Sequence, residues 1–253
     1  MSSKVIVITG VSKGLGRAMT TYFLSHGHTV IGCARSQDII SDMKVKFASA
    51  SDRCHLAVVD VSKEDQVEAW AKKSLQIATP DIVINNACFI NDFMPFLEVS
   101  VEDFDLIIDS GLKGTASVMR HFLPSMIKAG SGAIVNLSSI YASQSQGYAA
   151  TYTTVKHGVQ GFSKAVAQEL PESVCIVLLD PGIVGTDIIH EVLPAEVATR
   201  LMQAEEWAEH VCPFILTIDH SMNGQSLNIP EILGIKCGHA IQDGRPVYEG
   251  IDY

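Results

Sequence analysis

The sequence predicts an α/β fold: one doubly wound parallel sheet with helices on both faces. Three observations carry this. β-rich apolar runs alternate with helical patterns along most of the 253 residues. The runs are continuous rather than alternating, as expected of strands buried on both faces. The first run ends in Thr9-Gly10-Val11-Ser12-Lys13-Gly14-Leu15-Gly16, placing three glycines where a strand meets a helix.

The elements follow in order. Residues 4–9 form the first strand and 15–26 the first helix. The second strand covers 29–34 and the third 54–59, and the interval 38–50 leaves room for only a short helix. Ser62-Lys63-Glu64-Asp65 reads as the capped start of an amphipathic helix reaching 78. Residues 81–84 are the fourth strand. A long helix over 101–128 bends near Gly111 and Gly114. The fifth strand is 132–138, followed by a helix over 149–170 and a sixth strand at 174–179. Residues 186–219 read as helical and acidic, and 226–229 as a last strand. Residues 1–230 thus form one domain of ordinary length. Residues 231–253 show no clear period and read as a tail, packed on the surface or on a neighbouring subunit.

Composition narrows the function. A 47% hydrophobic content suffices for a large core, and a net charge of −10 argues against a nucleic-acid or anionic-membrane surface. The cysteines (33, 54, 88, 175, 212 and 237) lack metal-ligand spacing and read as free thiols of a reducing compartment. The histidines contain no HExxH pattern, so no metal site is expected. His26 and His28 flank Gly27 at a predicted helix end, where they suit the negative pole of the dipole. Asn136-Leu137-Ser138 matches a glycosylation sequon, but inside a predicted buried strand, and reads as chance. With no leader and no bilayer-length apolar run, a cytoplasmic protein is expected.

Two stretches suggest chemistry. In the glycine turn, free N–H groups and the helix dipole offer an anion site, and missing Cβ atoms let a ligand approach. Alone, it could be a tight turn without a ligand. Tyr152 and Lys156 stand one helical turn apart and share a face. A tyrosine has a pKa near 10, and a neighbouring ammonium favours its phenolate, making a proton-transfer pair. An exposed pair on an ordinary helix is the plainer alternative. Ser139, ending the fifth strand, adds a hydroxyl able to polarise a carbonyl. Ser138 stands beside it, and a simple turn after a strand would explain both serines.

Together, the G-x-x-x-G-x-G turn, Ser139 and Tyr152-x-x-x-Lys156 resemble the short-chain dehydrogenase/reductase family over nearly the whole chain. The resemblance implies a Rossmann-type sheet and a catalytic set of Ser139, Tyr152 and Lys156. It implies that Gly10, Ser12, Lys13, Gly14, Leu15 and Gly16 cradle a nicotinamide dinucleotide. Asp60 and Val61 would face its adenine, and Asn86 and Ala87 of Asn85-Asn86-Ala87 its ribose. Pro181, Gly182, Ile183, Val184 and Thr186 would hold the nicotinamide, with Tyr152 and Lys156 on its ribose. Asp60 could equally be a helix cap. The second strand ends in Ala34-Arg35-Ser36, without the acid that NAD-using members place there. Arg35 and Lys13 suit a 2′-phosphate, so NADP(H) is expected and NAD is the weaker fit. Two solvated cations are the bland alternative.

Two positions depart from the family. Cys88 stands where it has a glycine, and is expected to crowd the cofactor. Gly111 stands where it has an asparagine that binds a water linking the lysine to solvent. A slower proton relay is expected, with faster turnover on Gly111→Asn; Ser110 is no substitute. The resemblance implies an NADP(H)-dependent carbonyl reductase or alcohol dehydrogenase, acting on a small carbonyl or alcohol substrate. It also implies a homodimer or homotetramer. A cofactor-binding regulatory protein of the same fold is the rival, motivated by Cys88 and Gly111. Residues 187–207 are expected to cover the pocket. There Ile188, Ile189, Val192, Leu193, Leu201 and Met202 either line an apolar site or belong to the core.

Overall fold

The computed structural model describes residues 2–187, 189, 198–235, 240–242 and 245–247. Seven parallel strands form one sheet: β1 (Val5–Thr9), β2 (Thr29–Ala34), β3 (Cys54–Val58), β4 (Ile82–Asn85), β5 (Gly132–Leu137), β6 (Val174–Asp180) and β7 (Ser226–Asn228). Their order is β3-β2-β1-β4-β5-β6-β7. The order reverses beside β1 and β4, which opens a crevice at their carboxyl ends. The expected doubly wound, Rossmann-type sheet is the one observed.

Burial on both faces explains the continuous apolar runs. Ile6 and Ile8 of β1 enter one core with Phe23 and Trp207, while Val7 enters the opposite core with Trp70 and Phe122. The first core lies under α1 (Gly14–Ser25) and α7 (Ala204–Ile215), the second under α3 (Glu64–Ile77) and α5 (Gly114–Ala129). Helices α2 (Gln37–Lys46) and α6 (Ala150–Ala167) complete the layers. Asn136 on β5 is fully buried. Its side chain accepts from Asn85 Nδ2 at 2.8 Å and donates to Ser163 Oγ at 2.7 Å, so the sequon is structural. Asn136→Leu leaves both partners unpaired. It is expected to cost about 1–3 kcal/mol, read as a lowered melting temperature; an unchanged melt would contradict that role.

Several expectations are corrected. The long central helix is three pieces: α4 (Val101–Ile107), a π-helical segment (Ile108–Lys113) and α5. The bend expected near Gly111 is this widened turn, a form common at functional sites. Helix α3 is not capped by Ser62: Lys63 is its N-cap and makes no side-chain cap bond. Glu64 and Asp65 offset the dipole instead. Residues 186–219 are not one helix, because a turn at Thr199–Gln203 precedes α7. His28 is buried, and its Nδ1 accepts from Lys4 N–H at 3.1 Å. Burial holds the ring below the ordinary histidine pKa, so it is no cationic cap. The short helix α8 (Ile229–Leu233) crosses the expected 230/231 boundary, and Leu233 and Ile235 pack on the first core. Ala240–Gln242 and Arg245–Val247 pair antiparallel as β8 and β9. The Asp243-Gly244 between them in sequence is a strong hairpin signal. Among the described residues, no helix is long and apolar enough to cross a membrane.

Candidate active site

The crevice at the sheet's carboxyl edge holds a cleft of about 310 Å³. Its nucleotide end is built by the β1–α1 turn. Gly10 has φ +73°, a left-handed conformation that side chains resist. A Cβ on Gly16 would overlap Gly10 O, so α1 can pass this close only with glycine there. Asn86 locks the turn from β4: its Nδ2 donates to Thr9 O at 2.9 Å and Gly10 O at 3.1 Å. The N–H groups of Asn86 and Ala87 both donate to Thr9 Oγ1 at 3.0 Å.

The N-terminus of α1 has no side-chain cap and no acid in its first turn. Its free N–H groups therefore form a site for an anion, as a dinucleotide pyrophosphate requires. Lys13 and Arg35 are exposed on the same cleft. The residues present fit a phosphorylated dinucleotide. Asp60 does both things its sequence allowed: it lines the cleft, and its Oδ1 accepts from Ser62 N–H at 3.0 Å.

The chemical end gathers three groups. Tyr152 and Lys156 rise from α6, with the Lys156 ammonium 5.3 Å from the tyrosine ring centre. Lys156 Nζ donates to Leu137 O at the end of β5 at 2.8 Å. Ser139 follows β5, and its Oγ accepts from Tyr141 N–H at 3.3 Å. Burial raises the Tyr152 pKa above the ordinary value, more than the nearby Ser139 hydroxyl lowers it. Burial also lowers that of Lys156, against the pull of the Cys88 and Asp180 positions. The expected lowering of the phenol by Lys156 is corrected: loss of water sets the direction and holds Tyr152 above its ordinary value.

Every expected site residue lines this cleft except Gly16, which lies beneath the turn. Several lining residues escaped sequence reasoning. Tyr141 packs edge-on against Tyr152, with ring centres 5.8 Å apart, and Phe93 packs edge-on against Tyr141 at 6.2 Å. Phe89, Ile90 and Asp180 also line the cleft. Asp180 closes β6, where strand ends supply ligand-facing groups, so its position alone was a usable signal. Of the covering residues, Ile189 lines the cleft, while Leu201 is buried and Met202 packs against the core. Ile188, Val192 and Leu193 lie outside the described residues. Trp207 fixes the roof by donating from Nε1 to Pro181 O at 3.0 Å.

The two departures from the family pattern meet in space. A Cβ added at Gly111 would stand 2.9 Å from Cys88 Sγ and 2.5 Å from Val155 Cγ1. The cysteine thus spends its side chain on Gly111, although it also borders the cleft. The expected gain from Gly111→Asn is withdrawn, because no room exists for the asparagine. Ser110 serves the backbone, donating to Leu106 O at 2.7 Å and accepting from Phe89 N–H at 3.0 Å.

Comparison with known proteins agrees with this geometry. The family model described as short chain dehydrogenase matches residues 4–197. An NADPH-dependent pterin aldehyde reductase of Arabidopsis thaliana is 36% identical over 230 residues, covering 90% of this chain and 94% of its own. A 3-oxoacyl-acyl-carrier-protein reductase FabG of Chlamydia muridarum is 33% identical over 192 residues, covering 74% and 76%. Among solved structures, ElxO with NADP bound superposes with a TM-score of 0.80 at 25% identity, covering 90% of this chain and 97% of its own. The chain belongs to the short-chain dehydrogenase/reductase family. It is an oxidoreductase of that family, of the carbonyl-reductase type.

Proposed function

We propose that the protein reduces neutral, aromatic carbonyl compounds with NADPH. The observation that carries this is the meeting, in one cleft, of Ser139, Tyr152 and Lys156 with an uncapped helix N-terminus and Arg35. NADP(H) is the cofactor and NAD the poorer fit, since Arg35 rather than an acid directly follows β2. The relatives named for NADPH or NADP support this choice.

When bound, the cofactor supplies the hydride. Ser139 Oγ and Tyr152 Oη hold the substrate oxygen and polarise its carbonyl. Tyr152 gives its phenolic proton to that oxygen, leaving a phenolate on Oη. The Lys156 ammonium stabilises that phenolate, and Leu137 O keeps the ammonium in place. Oxidation of an alcohol runs the same transfers in reverse. The regulatory rival is not favoured, because Ser139, Tyr152 and Lys156 are all present and the relatives include NADPH-dependent reductases.

The substrate class follows from charge and shape. The described cations lining the cleft are Lys13, Arg35 and Lys156. Arg35 follows β2 and Ser139 follows β5, three strand spacings or roughly 14 Å apart. Lys156 is committed to Tyr152. Among the described residues, a substrate carboxylate has no cation of its own at the chemical end. A flat ring instead has Phe93, Tyr141 and Ile90. This favours an aldehyde like that named for the Arabidopsis relative over the 3-oxoacyl class. A panel of pterin aldehyde, benzaldehyde, acetoacetate and a 3-oxoacyl thioester tests it. The aromatic aldehydes are expected to lead in kcat/KM by about tenfold or more; preference for a 3-oxo acid or thioester would overturn the assignment.

The domain that carries the cofactor and the chemistry runs past residue 230, at least to Ile235. A homodimer or homotetramer is supported by the exposed apolar side chains of Phe96, Leu97 and Val101. A cytoplasmic location is supported by free thiols at Cys33, Cys54, Cys88, Cys175 and Cys212.

A further inference from the structure

We propose that Cys88 is a positioning residue: its thiol fills the space over Gly111 and keeps Lys156 dry and aligned beneath Tyr152. The inference rests on the reductase reading for its kinetic part only. Gly111 lies in the π-helical segment, buried against α6. A single added carbon there would meet Cys88 Sγ at 2.9 Å and Val155 Cγ1 at 2.5 Å. Contacts that close force a shift in a packed interior. Residues 88 and 111 are therefore complementary: the side chain sits on one because the other has none.

The thiol is pinned and neutral. Cys88 S–H donates to Phe89 O at 3.2 Å, and burial raises its pKa above the ordinary thiol value. The next peptide is tied to the same segment, since Phe89 N–H donates to Ser110 Oγ at 3.0 Å. Val155, which closes the far side, is fully buried and directly precedes Lys156 on α6. The groups that face Lys156 come from every neighbouring element. Cys88 follows β4, Leu137 O ends β5, Asp180 ends β6, and Tyr152 stands on α6 itself.

Removing the thiol opens the space over Gly111 to the cleft that Cys88 and Lys156 both line, and gives water of that cleft a path to the ammonium. Water there solvates the Lys156 ammonium and relaxes its bond to Leu137 O. The lysine then holds its proton to higher pH, and the alkaline limb of reduction moves up.

The experiment is a double-variant cycle of Cys88→Gly and Gly111→Ala, with Cys88→Ser as the conservative control. Melting temperature, NADPH affinity and the pH profile of kcat for an aromatic aldehyde are measured. Cys88→Gly is expected to lower kcat by about tenfold and move the alkaline limb upward, with NADPH affinity changed far less. Cys88→Ser, which keeps the volume and the donor to Phe89 O, is expected to retain the wild-type limb. Gly111→Ala is expected to melt early, and the double variant to melt later than Gly111→Ala alone. Strictly additive melting changes, or a Cys88→Gly enzyme with wild-type kcat and an unmoved limb, overturn the proposal. If Gly111→Ala does not fold, a folded double variant supports the pairing and an unfolded one counts against it. The melting cycle needs no turnover. Failure of the substrate reading therefore leaves a distinct signature: coupled melting without activity.

Discussion

Replacing Tyr152 with phenylalanine is expected to lower kcat for carbonyl reduction by about 10²- to 10⁴-fold, the range for loss of a positioned general acid. NADPH binding should persist. The ring keeps its edge-on packing against Tyr141, with only the Oη proton donor lost. Steady-state turnover and a fluorescence titration of NADPH separate the two effects. Retained turnover would remove Tyr152 from the chemistry. The pH dependence of the wild-type enzyme has a definite sign. Burial holds Tyr152 above the ordinary phenol value, so the donor stays protonated through neutral pH. Burial holds Lys156 below the ordinary lysine value, so its proton leaves first as pH rises. Reduction should therefore be flat through neutrality and fall in the alkaline range with the loss of the Lys156 charge. A profile that rises with pH would contradict this order.

Arg35→Ala is expected to raise the KM for NADPH by about tenfold while barely changing that for NADH. A charge-assisted pair contributes about 1.5–3 kcal/mol, and the exposure of Arg35 reduces that. The loss should shrink further in high salt, as it does for solvent-facing charges. Parallel titrations of both cofactors at two salt concentrations measure it. Equal losses for NADPH and NADH would mean that Arg35 does not read the 2′-phosphate.

The strands were legible because burial on both faces leaves a continuous apolar run, as at Val5–Thr9 and Val174–Asp180. The cofactor end was legible because close approach demands residue types: Gly16 has no alternative beneath Gly10 O. Ser139, Tyr152 and Lys156 were legible from order and spacing, since each lies near the carboxyl end of β5 or on the helix that follows. What escaped depends on non-local packing. Nothing in Asn85-Asn86-Ala87-Cys88 says that the sulfur seats on a residue beyond the next loop. No periodicity announces that six residues of the central helix widen into a π turn. Tyr141 and Phe93 face each other across two loops, so neither local sequence holds the pair. The sign of the Tyr152 shift was also hidden, because it depends on how completely water is excluded, which only the folded chain determines.

The most direct measurement uses NADPH carrying deuterium at the transferable position of the nicotinamide, with an aromatic aldehyde, and product mass. The wild-type protein should place one deuterium on the former carbonyl carbon, and Tyr152→Phe should bind the same cofactor yet yield almost none. Tight NADPH binding with no deuterium in any carbonyl of the panel would contradict a reductase built on Ser139, Tyr152 and Lys156.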